Sequence, residues 1–233
     1  MIMEVLYIPL KYKLKLNEAF MYKILNEVKD NSLCLFSTIQ FLEQTKQLYK
    51  FLKAKGKKVY FPKPLFRAVE QGQVLGCDVT GPISVKDKVD TFIFLGNGRF
   101  HPLAVAYQTQ KPVYIADPVT SSLTLIDKED VENYQKQIKG KLMKFAMAQK
   151  VGILISTKLG QYNLKLARIL KKKLLSKGKE VILFMFETLI PEFLSDFKDI
   201  DFWINTACPR IAIDDYERFE KPILNADEVL PLL

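Results

Sequence analysis

The chain has 233 residues, enough for one large domain or two small ones with a real core. Hydrophobic content of 48% beside 26% charge is ordinary for a soluble globular protein, and no apolar run approaches the roughly 20 residues that span a bilayer. The formal net charge of +9 is carried almost wholly by lysine, arginine being confined to Arg67, Arg99, Arg168, Arg210 and Arg218. Phosphate clamps favour arginine's planar fork, so a solvated lysine surface is expected rather than direct nucleic-acid binding.

In chain order, Met1–Val5 lacks the basic and apolar regions of a secretory leader, which points to a cytoplasmic protein. Val5–Leu10 reads as a strand, and Asn17–Val28 as a helix capped by Asn17. The apolar run Leu33-Cys34-Leu35-Phe36 then enters Ser37-Thr38, a helical stretch, Lys55-Gly56 and the strand Val59-Tyr60-Phe61. The same order returns later: Leu154-Ile155 enters Ser156-Thr157, a helical stretch, Lys177-Gly178 and Val181-Ile182-Leu183. Asp90–Leu95 parallels Asp201–Asn205, and Lys111–Asp117 parallels Lys221–Asp227.

Repeated matches in one order read as a tandem duplication. The expected fold is α/β, with two tandem homologous domains, each a small parallel sheet of about four strands flanked by helices. The expected boundaries are 1–30 for an N-terminal extension, 31–148 for the first repeat and 149–233 for the second. A lysine-rich helical segment, Lys136–Lys150, would join the repeats.

Ligands of parallel sheets bind outside the carboxyl ends of the strands, and the expected site is a cleft there to which each repeat gives one thiol. Of three cysteines, Cys34 sits in an apolar run and reads as packing, whereas Cys77 and Cys208 follow small or polar residues in loops. Dispersed cysteines give neither a disulfide framework nor the C-x2-C pairing of structural zinc. A nucleophile paired with His101, the sole histidine, would leave the second loop cysteine idle. Iron–sulfur ligation and free thiols remain. Gly96 and Gly98 mark a turn where backbone approaches a ligand, or only a tight turn. His101 reads first as a structural residue and second as a ligand contact. Asp214 and its neighbour Asp215 read first as a helix cap and second as holders of a ligand's amine.

Phe36–Gln40, Gly72–Asp78, Gly96–His101 and Asn205–Asp214 resemble the motifs of the diphthamide synthase family, over residues 31–215. The resemblance implies three homologous α/β domains, each giving one cysteine to a [4Fe–4S] cluster that binds S-adenosylmethionine. It further implies transfer of a 3-amino-3-carboxypropyl group to a histidine of translation elongation factor 2. Carried over residue by residue, it makes Cys77 and Cys208 the metal ligands of the second and third domains. It puts Gly96, Gly98, His101, Gln161 and Asp214 near the adenosylmethionine by position. Leu159–Asn163 matches the family's glycine-rich loop only in part, and no first-domain cysteine is matched. The missing ligand would come from another chain, from Asp78 or from solvent, the first being preferred. The implied partners are elongation factor 2 and a diphthamide synthase chain in a homo- or hetero-oligomer, with no membrane. A non-catalytic accessory subunit and a small-molecule binder without a cluster are the alternatives.

Overall fold

The computed structural model describes residues 8–233. The leader reading at Met1–Val5 and the first part of the strand expected over Val5–Leu10 lie outside the described residues. Ile8–Leu10 carry no regular structure. The chain divides into two compact units at Glu132 and Asn133. That division falls within a long helix, α5 (Lys128–Met147).

The first unit opens with α1 (Glu18–Glu27). Asn17 caps it as expected, its Oδ1 accepting from the Ala19 amide at 2.9 Å. Then come β1 (Ser32–Ser37), α2 (Leu42–Ala54), β2 (Lys58–Tyr60), α3 (Thr80–Ile83), β3 (Thr91–Leu95), α4 (Phe100–Thr109), β4 (Val113–Asp117) and β5 (Ser122–Ile126). The sheet runs β2-β1-β3-β4-β5. Its first four strands are parallel. Alternation of side chains splits β1 and β3 between two cores. Leu33, Leu35, Ile93 and Leu95 pack with Phe20 and Ile24 of α1 and with Leu48 and Leu52 of α2. Cys34, Phe36, Phe92 and Phe94 face Val105 and Ala106 of α4. A sheet covered on both faces explains strands that read as continuous apolar runs. Cys34 is buried there, and burial pushes its thiol far above the ordinary range. It is a packing residue, as expected.

The second unit carries β6 (Lys150–Ser156), α6 (Leu164–Ser176), β7 (Glu180–Phe186), β8 (Phe202–Asn205), α7 (Arg210–Ile213), β9 (Ile223–Asn225) and α8 (Ala226–Val229). Its four strands are all parallel, in the order β7-β6-β8-β9. Strand for strand this is the order β2-β1-β3-β4, as a duplication requires. The matched glycines Gly56 and Gly178 sit just past α2 and α6 with φ of +84° and +78°, the left-handed turn that ends a helix cheaply only at glycine. The α/β class and the two sheets are as expected. The first sheet adds the antiparallel edge strand β5, paired to β4. In both units the chain winds away in opposite directions from the central pair, so the crevices open beyond β1/β3 and β6/β8.

Candidate metal-ligand loops

In the first unit, the Ser37 amide donates to Gly72 O (2.9 Å) and the Val74 amide to Ser37 O (2.8 Å), so residues 72–74 extend the sheet beside the carboxyl end of β1. Leu75 and Asp78 then exchange backbone hydrogen bonds of 2.9 and 3.0 Å, with Gly76 and Cys77 at the tip. A Cβ on Gly76 would lie 2.5 Å from the Phe100 ring. Glycine thus lets the tip press against the start of α4. The Cys77 thiol is exposed, with Arg67 Nη1 3.8 Å from its sulfur.

Asp78 is the clamp of this loop. Its carboxylate accepts from the amides of Arg67 (2.5 Å), Ala68 (2.7 Å) and Thr80 (3.1 Å) and from Thr80 Oγ1 (2.5 Å). Burial works to raise its pKa, but these four donors outweigh burial and hold it below the ordinary aspartate value. Both oxygens are committed, so Asp78 holds the loop and is not the spare metal ligand the sequence allowed. Asp78→Ala should cost about 2–3 kcal/mol, because buried amides lose a charged acceptor. Urea unfolding at neutral pH measures this. The wild-type advantage should be full above the ordinary aspartate pKa and fade as the pH falls through the depressed one.

Beyond β3, Gly96 (φ +152°) would set a Cβ 2.9 Å from the Phe94 ring, and Gly98 (φ +80°) has open space around it. His101 lies in the first turn of α4, stacked on Phe94 (centroids 5.7 Å apart, 21°) and edge-on to Phe100 (5.2 Å, 76°). Its ring is part of the aromatic packing at the crevice. Ser37 Oγ is buried there without a hydrogen-bond partner among the described residues.

In the second unit, the Cys208 loop leaves β8 and is tied at each residue. Thr206 donates from both its amide (3.1 Å) and Oγ1 (2.7 Å) to Leu154 O. Asn205 Oδ1 accepts from the Ala207 amide (3.0 Å), while its Nδ2 donates to Cys208 O and to Asn225 Oδ1, each at 2.8 Å. Asn225 Nδ2 in turn donates to Pro209 O at 3.1 Å. The Cys208 thiol is half-buried. Gln161 sits in the turn after β6, its amide donating to Lys158 O (3.0 Å). Asp214 ends α7, and its carboxylate accepts from Arg210 Nε at 2.5 Å. It could hold an amine only by giving up that pair.

Sequence reasoning passed over Arg67, Asn225 and the support beneath α7. Lys141 of α5 donates to Ala212 O (3.3 Å) and lies 4.2 Å from the centre of the Tyr216 ring. Glu228 caps the first turn of α8 by accepting from the Asn225 amide (2.7 Å). The spacing Asn225-x-x-Glu228 is a capping-box signal available from sequence. Burial pushes the Glu228 carboxyl up to about 6, with Asp227 adding to the rise while the Asn225 amide, Lys141 and Tyr134 resist it. A raised carboxyl contributes stability that is full below its unfolded pKa and lost as pH rises through the folded one. Glu228→Gln keeps the cap acceptor and removes the charge. It should therefore gain as much as about 2 kcal/mol on the wild type between pH 4.5 and 7.5, a difference that thermal unfolding across that range would read.

Two α/β units of one strand order, each presenting a loop thiol, define a duplicated protein with soft-metal donors outside its core. The chain belongs to the diphthamide synthesis family, whose model matches residues 2–233. It is 30% identical over 230 residues to the 2-(3-amino-3-carboxypropyl)histidine synthase of Pyrococcus horikoshii, covering 98% of this chain and 65% of that one. It is 32% identical over 212 residues to subunit 1 of the Candida glabrata synthase, covering 89% of this chain and 48% of the relative. The crystal structure of Dph2 from Pyrococcus horikoshii with a 4Fe-4S cluster superposes with a TM-score of 0.81 at 29% identity, over 92% of this chain and 61% of that one. The chain thus spans from about half to just under two thirds of the length of these relatives. Among the described residues no helix is long and apolar enough to cross a membrane.

Proposed function

We propose that this chain works in the first step of diphthamide synthesis as part of a cytoplasmic synthase, with Cys77 and Cys208 each giving one thiolate to a [4Fe–4S] cluster. The observation that carries the reading is the contrast among its thiols: Cys34 is buried in a strand, whereas Cys77 and Cys208 lie outside the core on loops tied throughout by hydrogen bonds. Sulfur donors of this kind suit iron. Among the described residues no group of three His, Cys, Asp or Glu side chains gathers to hold a metal. The remaining thiolate comes from a companion polypeptide of the synthase type.

The chemistry supplied by a bound cluster is one-electron cleavage of S-adenosylmethionine, which frees the 3-amino-3-carboxypropyl group for a histidine of translation elongation factor 2. Within this chain, Asp78 and Arg67 set the Cys77 tip, and Asn205 and Thr206 set the Cys208 loop. Gly98 has open space around it in the turn beyond β3, where His101 lies in the first turn of α4, and Gln161 stands in the turn after β6. Asp214 holds Arg210 near that crevice's counterpart in the second unit.

The second reading is a non-catalytic companion of a full-length synthase. The two are separated by anaerobic assay with S-adenosylmethionine labelled in the aminocarboxypropyl group, reductant, elongation factor 2 and a full-length synthase chain. Label transfer above that of the synthase chain alone, lost with Cys77→Ala or Cys208→Ala, supports direct ligation. Transfer stimulated equally by wild type and both variants assigns the accessory role.

A further inference from the structure

The second unit spends two almost fully buried amide side chains on two carbonyl groups of one short loop. Asn205 is 2% and Asn225 4% exposed. They are the last residues of β8 and β9 and are register partners in the sheet. Asn205 Nδ2 reaches both Cys208 O and Asn225 Oδ1, and Asn225 Nδ2 reaches Pro209 O. The carbonyls of Cys208 and of the residue after it are therefore anchored to two neighbouring strands. Simple capping of α8 would need only the Oδ1 side of Asn225. Its donor side is used on the cysteine loop instead.

We infer that Asn205 and Asn225 are positioning residues for Cys208: the amide pair fixes the direction in which this thiol leaves the second sheet. The inference rests on the reading of Cys208 as a ligand. A soft ligand on a free loop would pay ordering entropy each time it bound metal, whereas a loop pinned at two carbonyls presents its sulfur in one orientation. Hydrogen bonding between buried amides suits this task because a misplaced partner leaves a polar group unpaired.

Asn225→Asp isolates the effect. Aspartate caps a helix as well as asparagine does, and it still accepts from Asn205, but it cannot donate to Pro209 O. The full chain, free of iron, is treated with iodoacetamide, and alkylation at each cysteine is followed by peptide mass spectrometry. Cys77, in the other unit, is the internal control. Cys208 should react on the order of fivefold faster in the variant, the gain in open population when one hydrogen bond is lost, with Cys77 unchanged. A trifluoromethyl label on Cys208 should give one narrow fluorine resonance in the wild type and a broadened or split one in folded Asn225→Asp. Unchanged alkylation and line shape in the folded variant would overturn the inference. Asn225→Ser, which shortens the side chain without charge, decides the matter if aspartate prevents folding. Slow exchange of the Asn205 and Asn225 side-chain amide protons is expected in the wild type, and fast exchange would also refute the inference. If the wild type takes up no iron but the thiol effects appear, the ligand reading fails and the positioning stands. Iron uptake with no thiol effect gives the reverse.

Discussion

Trp203→Ala is expected to destabilise the second unit by about 3–5 kcal/mol, which is a large share of the 5–15 kcal/mol that holds an ordinary domain folded. Trp203 is fully buried and meets Phe184 edge to face, with centroids 4.9 Å apart at 76°. It also packs with Leu154, Ile200, Ala212, Phe219 and Ile223. Its room is made by Gly152, its register partner on β6. A Cβ on Gly152 would lie 2.1 Å from the indole Cζ3. Gly152→Ala alone should therefore cost about 1–3 kcal/mol by overpacking. In the Trp203→Ala background the same methyl enters vacated space, so the double variant should be more stable than the sum of the two losses. Urea unfolding of the four proteins reads the coupling. Strict additivity would show that the indole does not fill the space left by Gly152.

Cys77→Ala and Cys208→Ala should have the opposite profile, with a large effect on iron and a small one on stability. Neither sulfur is in the core, and Asp78, Asn205 and Thr206 hold the loops through groups that the substitutions leave in place. Surface changes of this kind cost within about 0.5 kcal/mol. Loss of one thiolate from a cluster held by three or four removes an anchor that water cannot replace at comparable strength. Cys34→Ala is the reverse control, losing stability through a core cavity while leaving iron content unchanged. Iron content and thermal midpoint, measured on the same samples, distinguish the three variants.

The duplication was legible because strand, helix and terminal glycine recur in one order, and parallel strands covered on both faces read as apolar runs. β5 was not: Leu123 and Leu125 alternate with polar residues, but the strand is partly exposed at a sheet edge, where periodicity is weak. The loop cysteines stood out by what precedes them, whereas their supports did not. Asp78 serves backbone amides 10 and 11 residues away, and Asn205 meets Asn225 across 20 residues. No spacing rule encodes such contacts. His101 shows the other gap, since only the fold reveals that its ring stacks on Phe94 from the preceding strand.

Iron and acid-labile sulfide per chain, measured after anaerobic reconstitution of this protein with a full-length synthase chain, test the central claim most directly. Wild type should add iron and sulfide in equal amounts to the mixture, with a brown visible absorption, and the Cys77→Ala/Cys208→Ala double variant should add none. Iron and sulfide no higher than the synthase chain holds alone, or the same addition by the double variant, would contradict the assignment of these two cysteines as ligands.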